Sequence, residues 1–173
     1  MANPDPDRSG DRSGDRRGER SVDRVVAALR AHGLEADVRT MPGSTRTAAD
    51  AAAAVGCDVA HIVKSLVFDA GDDLLLVLVG GDVQVDVGRL AALTGRPVRL
   101  ADPTRVREAT GFAIGGVAPV GSHVPLPTYL DARLLAHDVV WAAAGTPRSV
   151  VPLDPARLAE VTNATVVTLQ DGA

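Results

Sequence analysis

Apolar residues recur at helical spacing behind Ser21, where Val22, Val25, Val26 and Leu29 share one face and Gly33 stands as a stop. The pattern predicts a first helix with Ser21 as its N-cap. A short extended run over residues 35–40 follows, then an Ala-rich helix over residues 47–55, closed by Gly56. The period then falls to two. Residues 62–68 and 74–79 are predicted as strands joined across residues 70–73 as a hairpin. The second strand is apolar on both faces, so it belongs at the centre of a covered sheet. Short units continue from there. Residues 83–85 are extended, Asp86 caps a helix reaching Leu93, a strand lies near residues 98–100, and Asp102-Pro103 opens a helix ending near Thr110-Gly111. Strands are predicted near residues 128–130, 139–143, 149–151 and 165–169, with Asp154-Pro155 capping a helix through Val161. Strands and helices mixed through hairpin-length connections favour an α+β (mixed α/β) single domain. Its central mixed, mostly antiparallel sheet is flanked by helices.

Residues 1–20 stand outside this pattern. The repeated Asp-Arg-Ser-Gly unit carries no large apolar side chain, and Arg8, Arg12, Arg16, Arg17 and Arg20 balance Asp5, Asp7, Asp11, Asp15 and Glu19. Such a neutral polyampholyte cannot repay the entropy of ordering, so a disordered tail over residues 1–20 and a folded domain over residues 21–170 are expected. With 46% apolar and only 2% aromatic residues in 173, the core must be built from Val, Leu and Ala. Cys57 is alone, which excludes an internal disulfide and fits a reducing compartment. No leader pattern and no membrane-length apolar run is visible, so a cytoplasmic protein without membrane association is expected. A net charge of -4 argues against bulk coating of nucleic acid, so any RNA must meet a local basic patch.

Lys64 is the single lysine against 17 arginines, and it sits inside the apolar stretch His61-Ile-Val-Lys-Ser-Leu-Val-Phe68. A compact ammonium can shift its pKa or bind one phosphate as a point charge, which a planar, permanently charged guanidinium does not reproduce. A second unusual segment runs over residues 110–121, with four glycines and Pro119 but none of the polar filler of a linker. Glycine lets backbone N–H groups approach a ligand, so the segment is a candidate cradle for an oxyanion or phosphate. Its spacing is not that of a dinucleotide-binding fingerprint.

Taken in order, Lys64-Ser-Leu-Val-Phe68, Gly81-Asp82, Ala101-Asp-Pro103, Thr110-Gly111, Gly115-Gly-Val-Ala-Pro119, Pro125-Leu-Pro127, Asp131 and Gly145 resemble the YbaK/prolyl-tRNA synthetase editing-domain family. The resemblance covers roughly residues 22–169. It implies a YbaK-like fold and an aminoacyl-tRNA deacylase that hydrolyses the ester of wrongly charged tRNA, without cofactor or metal. Aminoacyl-tRNA is the implied partner, with prolyl-tRNA synthetase as a further one. On the same basis Lys64 takes the place of the family's single functional lysine and Gly115 opens its G-x-x-x-P substrate loop. Lys64 and Gly115 are therefore the expected catalytic residues. Ser65, Gly116, Val117, Ala118, Pro119, His123, Asp131 and Gly145 are the expected substrate-binding ones. Because an aminoacyl ester is already activated, positioning a water and stabilising the developing oxyanion suffices; one well-aimed donor contributes about 3 kcal/mol.

Other groups leave open alternatives. Cys57 and His61 are four apart but lack a third partner for nucleophilic catalysis. His32, His123 and His137 are scattered, and no Cys/His spacing supports zinc. Asp131 either lines the pocket or caps the next turn. Arg89, Arg96, Arg99, Arg105 and Arg107 form the densest basic cluster of the folded part, either an acceptor-stem contact or a solvated face. Two further function classes fit the same residues: a module that binds aminoacyl-tRNA or a synthetase without hydrolysis, and an enzyme forming a Schiff base on Lys64. The amino acid removed from the tRNA depends on pocket differences of about 1–3 kcal/mol, below what spacing reveals.

Overall fold

The computed structural model describes residues 12–43 and 47–170. Its centre is the predicted hairpin. Strands β2 (Ile62–Ala70) and β3 (Asp73–Gly80) pair antiparallel from Val63↔Gly80 to Ala70↔Asp73. The two-residue turn between them needs the positive φ of Gly71, 68°. From Leu74 onward every residue of β3 is buried, as its two apolar faces require.

Six short strands complete the sheet: β1 (Arg39–Thr40), β4 (Arg99–Leu100), β5 (Thr128–Asp131), β6 (Val140–Ala143), β7 (Ser149–Leu153) and β8 (Thr165–Val167). Their order is β1-β7-β6-β2-β3-β5-β8, with β4 paired beside β2. The β2–β6, β3–β5 and β5–β8 pairings are parallel; β1–β7, β2–β3, β2–β4 and β6–β7 are antiparallel. This is the mixed sheet expected. Among the described residues five α-helices flank it: α1 (Arg12–Ala31), α2 (Ala48–Val55), α3 (Val87–Thr94), α4 (Pro103–Thr110) and α5 (Pro155–Val161).

Period-two alternation in β2 and β3 divides the core. Val63, Val67, Leu76 and Leu78 face one side, where Val25 and Leu29 of α1, Val106 of α4 and Leu158 of α5 pack with Phe112, Val117 and Ala118 of the glycine segment. Phe68, Val77 and Val79 face the other, under Val83 and Leu90 of α3. Ile62 on that second side is covered by Ala51 and Ala52 of α2. Each fully buried Leu or Phe contributes about 2 kcal/mol of transfer free energy, so a core almost without aromatics is held by numbers of aliphatic residues. No helix among the described residues is long and apolar enough to cross a membrane.

The caps follow the local chemistry. Thr47 and Asp50 form a reciprocal capping box on α2, and Asp86, Asp102 and Asp154 cap α3, α4 and α5. Four expectations need correction or narrowing. Ser21 is no N-cap: α1 already runs from Arg12, and the Ser21 hydroxyl donates to the Arg17 carbonyl at 3.0 Å. Once the apolar face of residues 22–29 is docked, adding N-terminal turns costs little, because the nucleus exists. The expected tail is therefore helical over residues 12–20, while residues 1–11 lie outside the described residues. The extended residues 83–85 stay outside the sheet, and the Val83 N–H donates to the Gly80 carbonyl in a turn. Of residues 35–40, only Arg39 and Thr40 pair, with Val150 and Ser149.

Candidate active site

β2 has an interrupted edge. β6 pairs with it only at Ile62 and Val63, and β4 only at Phe68 and Asp69. The stretch between, starting at Lys64, has no strand beside it on that side. The Val67 carbonyl accepts the Ala101 N–H at 2.9 Å, so by alternation the peptide groups of Val63, Ser65 and Val67 point toward this side. Ser65 thus presents its main chain at an unpaired edge. Its hydroxyl oxygen is buried and has no hydrogen-bond partner. Such an orphan is uncommon and costs free energy unless something satisfies it.

Lys64 lies opposite Val79 in the β2–β3 ladder, on the sheet face of Leu66 and Phe68. Its ammonium donates to the Val83 carbonyl oxygen, which the turn after β3 brings over the strand. Partial burial lowers its pKa below the ordinary lysine value, and the carboxylate of Asp82 partly offsets that shift. An ammonium held by one carbonyl retains two further N–H donors.

The glycine segment packs on the other face. Val117 and Ala118 are buried in the core beside Val63 and Val67, and Pro119 is buried, so this stretch offers a ligand its main chain rather than its side chains. Gly116 rides on the β6–β7 turn, where an added Cβ would lie 2.8 Å from the Thr146 Cα. Gly115, with φ 88°, sits over Pro147. Gly145, with φ 104°, lets the backbone of Ser21 in α1 approach, where a Cβ would stand 2.8 Å from the Ser21 carbonyl carbon.

The structure therefore brings Ser65, residues 115–119 and Gly145 to one face and leaves Lys64 on the other. No hydrogen bond joins Lys64 to residues 115–119 among the described residues. Alternation sends Lys64 and Ser65 to opposite sides of one strand. Both remain at the same interrupted edge. Two further expected residues take other places. Asp131 is fully buried and accepts the Arg133 N–H at 2.9 Å on one oxygen and the Leu169 N–H at 3.2 Å on the other, so it caps a 3-10 turn (Ala132–Ala136) and anchors the chain end instead of lining a pocket. His123 is exposed and packs on Gly111 beside Arg24, whose guanidinium lies 4.8 Å from the Phe112 ring centroid.

The remaining candidates resolve plainly. Burial and the neighbouring Asp58 raise the Cys57 pKa, opposite to what a nucleophilic thiolate needs. His61 packs against His137 with ring centroids 4.1 Å apart and the planes tilted by 43°. Within the arginine cluster, Arg96 pairs with Asp73 at 2.7 Å, Arg99 with Asp69 at 3.5 Å, and Arg105 with Asp69, so these three charges tie α4 and β4 to the central hairpin. No group of three metal-ligating side chains occurs among the described residues. Sequence spacing missed a cavity of about 950 Å³ beside the glycine segment, lined by Arg17, Arg107 and Arg148. Three separate segments supply those residues, so no motif announces them.

Against this geometry, the family model for the aminoacyl-tRNA editing domain matches residues 43–161. The chain belongs to the aminoacyl-tRNA editing domain family. It is 36% identical over 128 residues to the uncharacterized protein YwhH of Bacillus subtilis, covering 73% of this chain and 81% of that one. The proline–tRNA ligase of Shouchella clausii is 34% identical over 137 residues; the match covers 78% of this chain but 24% of the ligase, so the likeness is to one part of that enzyme. A crystal structure described as that of a candidate trans-editing enzyme for prolyl tRNA synthetase superposes with a TM-score of 0.84 at 49% identity, covering 88% of this chain and 98% of that one. Lys64 and the glycine segment both lie inside the matched residues.

Proposed function

We propose that this editing domain hydrolyses the ester of misacylated tRNA in trans, freeing a small amino acid from tRNA(Pro) or a related tRNA. One observation carries the reading beyond family membership: β2 is unpaired between its contacts with β6 and β4, and the buried, unpartnered Ser65 hydroxyl stands there. An aminoacyl ester bound at that edge is reached from both faces. The Gly116 N–H is held by the Ala113 carbonyl at 2.9 Å, so the main-chain N–H groups of Gly115 and the other residues of the segment face the carbonyl oxygen, where negative charge develops as water attacks. Ser65 orients the substrate or the water. The Lys64 ammonium exchanges the Val83 carbonyl for a phosphate or ribose oxygen of the terminal adenosine. Water adds to the carbonyl carbon, the bond to the ribose oxygen breaks, and that oxygen leaves with a proton; the products are the free amino acid and intact tRNA.

Incubation with a panel of mischarged tRNAs tests the reading and names the substrate. Accelerated release of one amino acid is the expected outcome. Protection of every ester against spontaneous hydrolysis would replace the hydrolase with a binding module. A second reading, Schiff-base chemistry, is favoured by the lowered pKa of Lys64, which frees its amine at lower pH. Borohydride trapping separates it, since the hydrolase leaves no adduct on Lys64.

A further inference from the structure

The cavity of about 950 Å³ opens between α1, the start of the glycine segment and the β6–β7 turn. Three guanidiniums line it, one from each wall: Arg17 on α1, Arg107 in the last turn of α4, and Arg148 in the turn. The carboxylates lining it are those of Glu19 and Asp23, so three positive charges meet two negative ones. Arg24 adds to the positive side, with His123 beside it. Both press on Gly111, a lining residue where an added Cβ has no room, and Arg24 is fixed there by hydrogen bonds to the carbonyls of Thr110 at 3.1 Å and Gly121 at 3.2 Å. Arg107 has no ion-pair partner among the described residues, and Arg148 spends only part of its donor set on the Met41 carbonyl. Arg39, Arg96, Arg99, Arg105 and Arg157 are by contrast paired with acids, and the chain as a whole carries -4. This groove concentrates the opposite sign.

Its position matters as much as its charge. Gly111 and Ala113 at the mouth of the glycine segment line it, and Thr146 and Pro147, on which Gly116 and Gly115 rest, line it too. The groove is therefore continuous with the loop assigned to the substrate carbonyl. One wall, α1, lies before the family-matched residues 43–161 and is added by the N-terminal part of this chain.

We propose that this groove binds the sugar–phosphate backbone of the RNA strand leading to the 3′ end, with Arg17, Arg107 and Arg148 on successive phosphates. The proposal rests on the editing reading only for the identity of the ligand as RNA. Phosphate contacts position a strand without reading its bases, which suits a surface almost devoid of aromatic stacking groups. They also leave a signature in salt dependence, roughly 0.7–0.9 in the slope of log K against log salt concentration for each phosphate neutralised.

The test uses the full chain and an uncharged, fluorescently labelled hairpin RNA ending in an unpaired CCA, with anisotropy read at several salt concentrations. Removing two charges in Arg17→Ala/Arg107→Ala should weaken binding about tenfold at low salt and reduce the slope by roughly 1.5. Arg30→Ala, which removes one charge from the last turn of α1 away from the groove, should leave the slope unchanged. If the double alanine variant loses its circular dichroism, Arg17→Gln and Arg107→Gln are read singly, each expected to lower the slope by about 0.8. Wild-type affinity and slope in the folded groove variants would overturn the proposal, as would an equal loss in Arg30→Ala. Because uncharged RNA is used, failure of the hydrolase reading shows separately, as wild-type protein that binds this RNA through the groove yet releases no amino acid from any charged tRNA.

Discussion

At the scale of single residues, the unusual one is Lys64, a half-buried ammonium in a strand whose side chain is parked on the Val83 carbonyl. If that ammonium grips the substrate, Lys64→Ala should lower deacylation at least a hundredfold with an unchanged circular dichroism spectrum, while Lys64→Arg should also be impaired because its wider fork cannot replace a point charge. Full activity in the alanine variant would remove Lys64 from the site. Its desolvation has a second consequence. A lysine whose folded pKa is depressed binds its proton less tightly than in the unfolded chain, so keeping it charged costs stability at neutral pH, and that cost disappears as pH rises through the folded and then the unfolded pKa. Competitive acetylation read by mass spectrometry is clean here, since Lys64 is the only lysine. Its reactivity should rise with a midpoint below that of a free lysine side chain, and Asp82→Asn should lower the midpoint further by removing the partial offset. A midpoint at or above the ordinary value would contradict the desolvated environment.

At the scale of elements, loops are held by buried polar side chains rather than by regular pairing. Asp131 shows this most clearly, since the last residue of β5 fastens both the following 3-10 turn and the segment after β8. Asp131→Ala should lower stability by about 2–4 kcal/mol, because the buried Leu169 N–H and the partly buried Arg133 N–H lose their acceptor. Deacylation per folded molecule should stay at the wild-type level, measured beside a denaturant titration. A selective loss of activity without destabilisation would return Asp131 to the substrate. The residue's polarity was visible in the sequence, but its target was not: Leu169 is 38 residues away along the chain. Local signals fared better. Asp86, Asp102 and Asp154 were readable as caps because a cap acts within three residues of itself.

At the scale of the whole molecule, both cores share β2 and β3, so neither face can be lost while the other persists. Unfolding should be a single cooperative step. Trp141, the only tryptophan, lies on β6 with the Arg39 guanidinium 4.9 Å from its ring centroid, and its fluorescence should change in step with far-UV circular dichroism. Separate midpoints would show that the β1-β7-β6 side unfolds on its own. The sequence by itself determined what depends on neighbours along the chain: the hairpin, the helix caps, the buried character of β3, and the chemical singularity of Lys64 and the glycine segment. Only the tertiary structure decided where α1 begins, which face Lys64 and Ser65 each take relative to the glycine segment, what Asp131 binds, and that Arg17, Arg107 and Arg148 share one cavity. The reason is physical. Periodicity and capping are set by contacts a few residues apart, whereas a face, a cavity and a buried acceptor's partner exist only after distant segments have packed against one sheet.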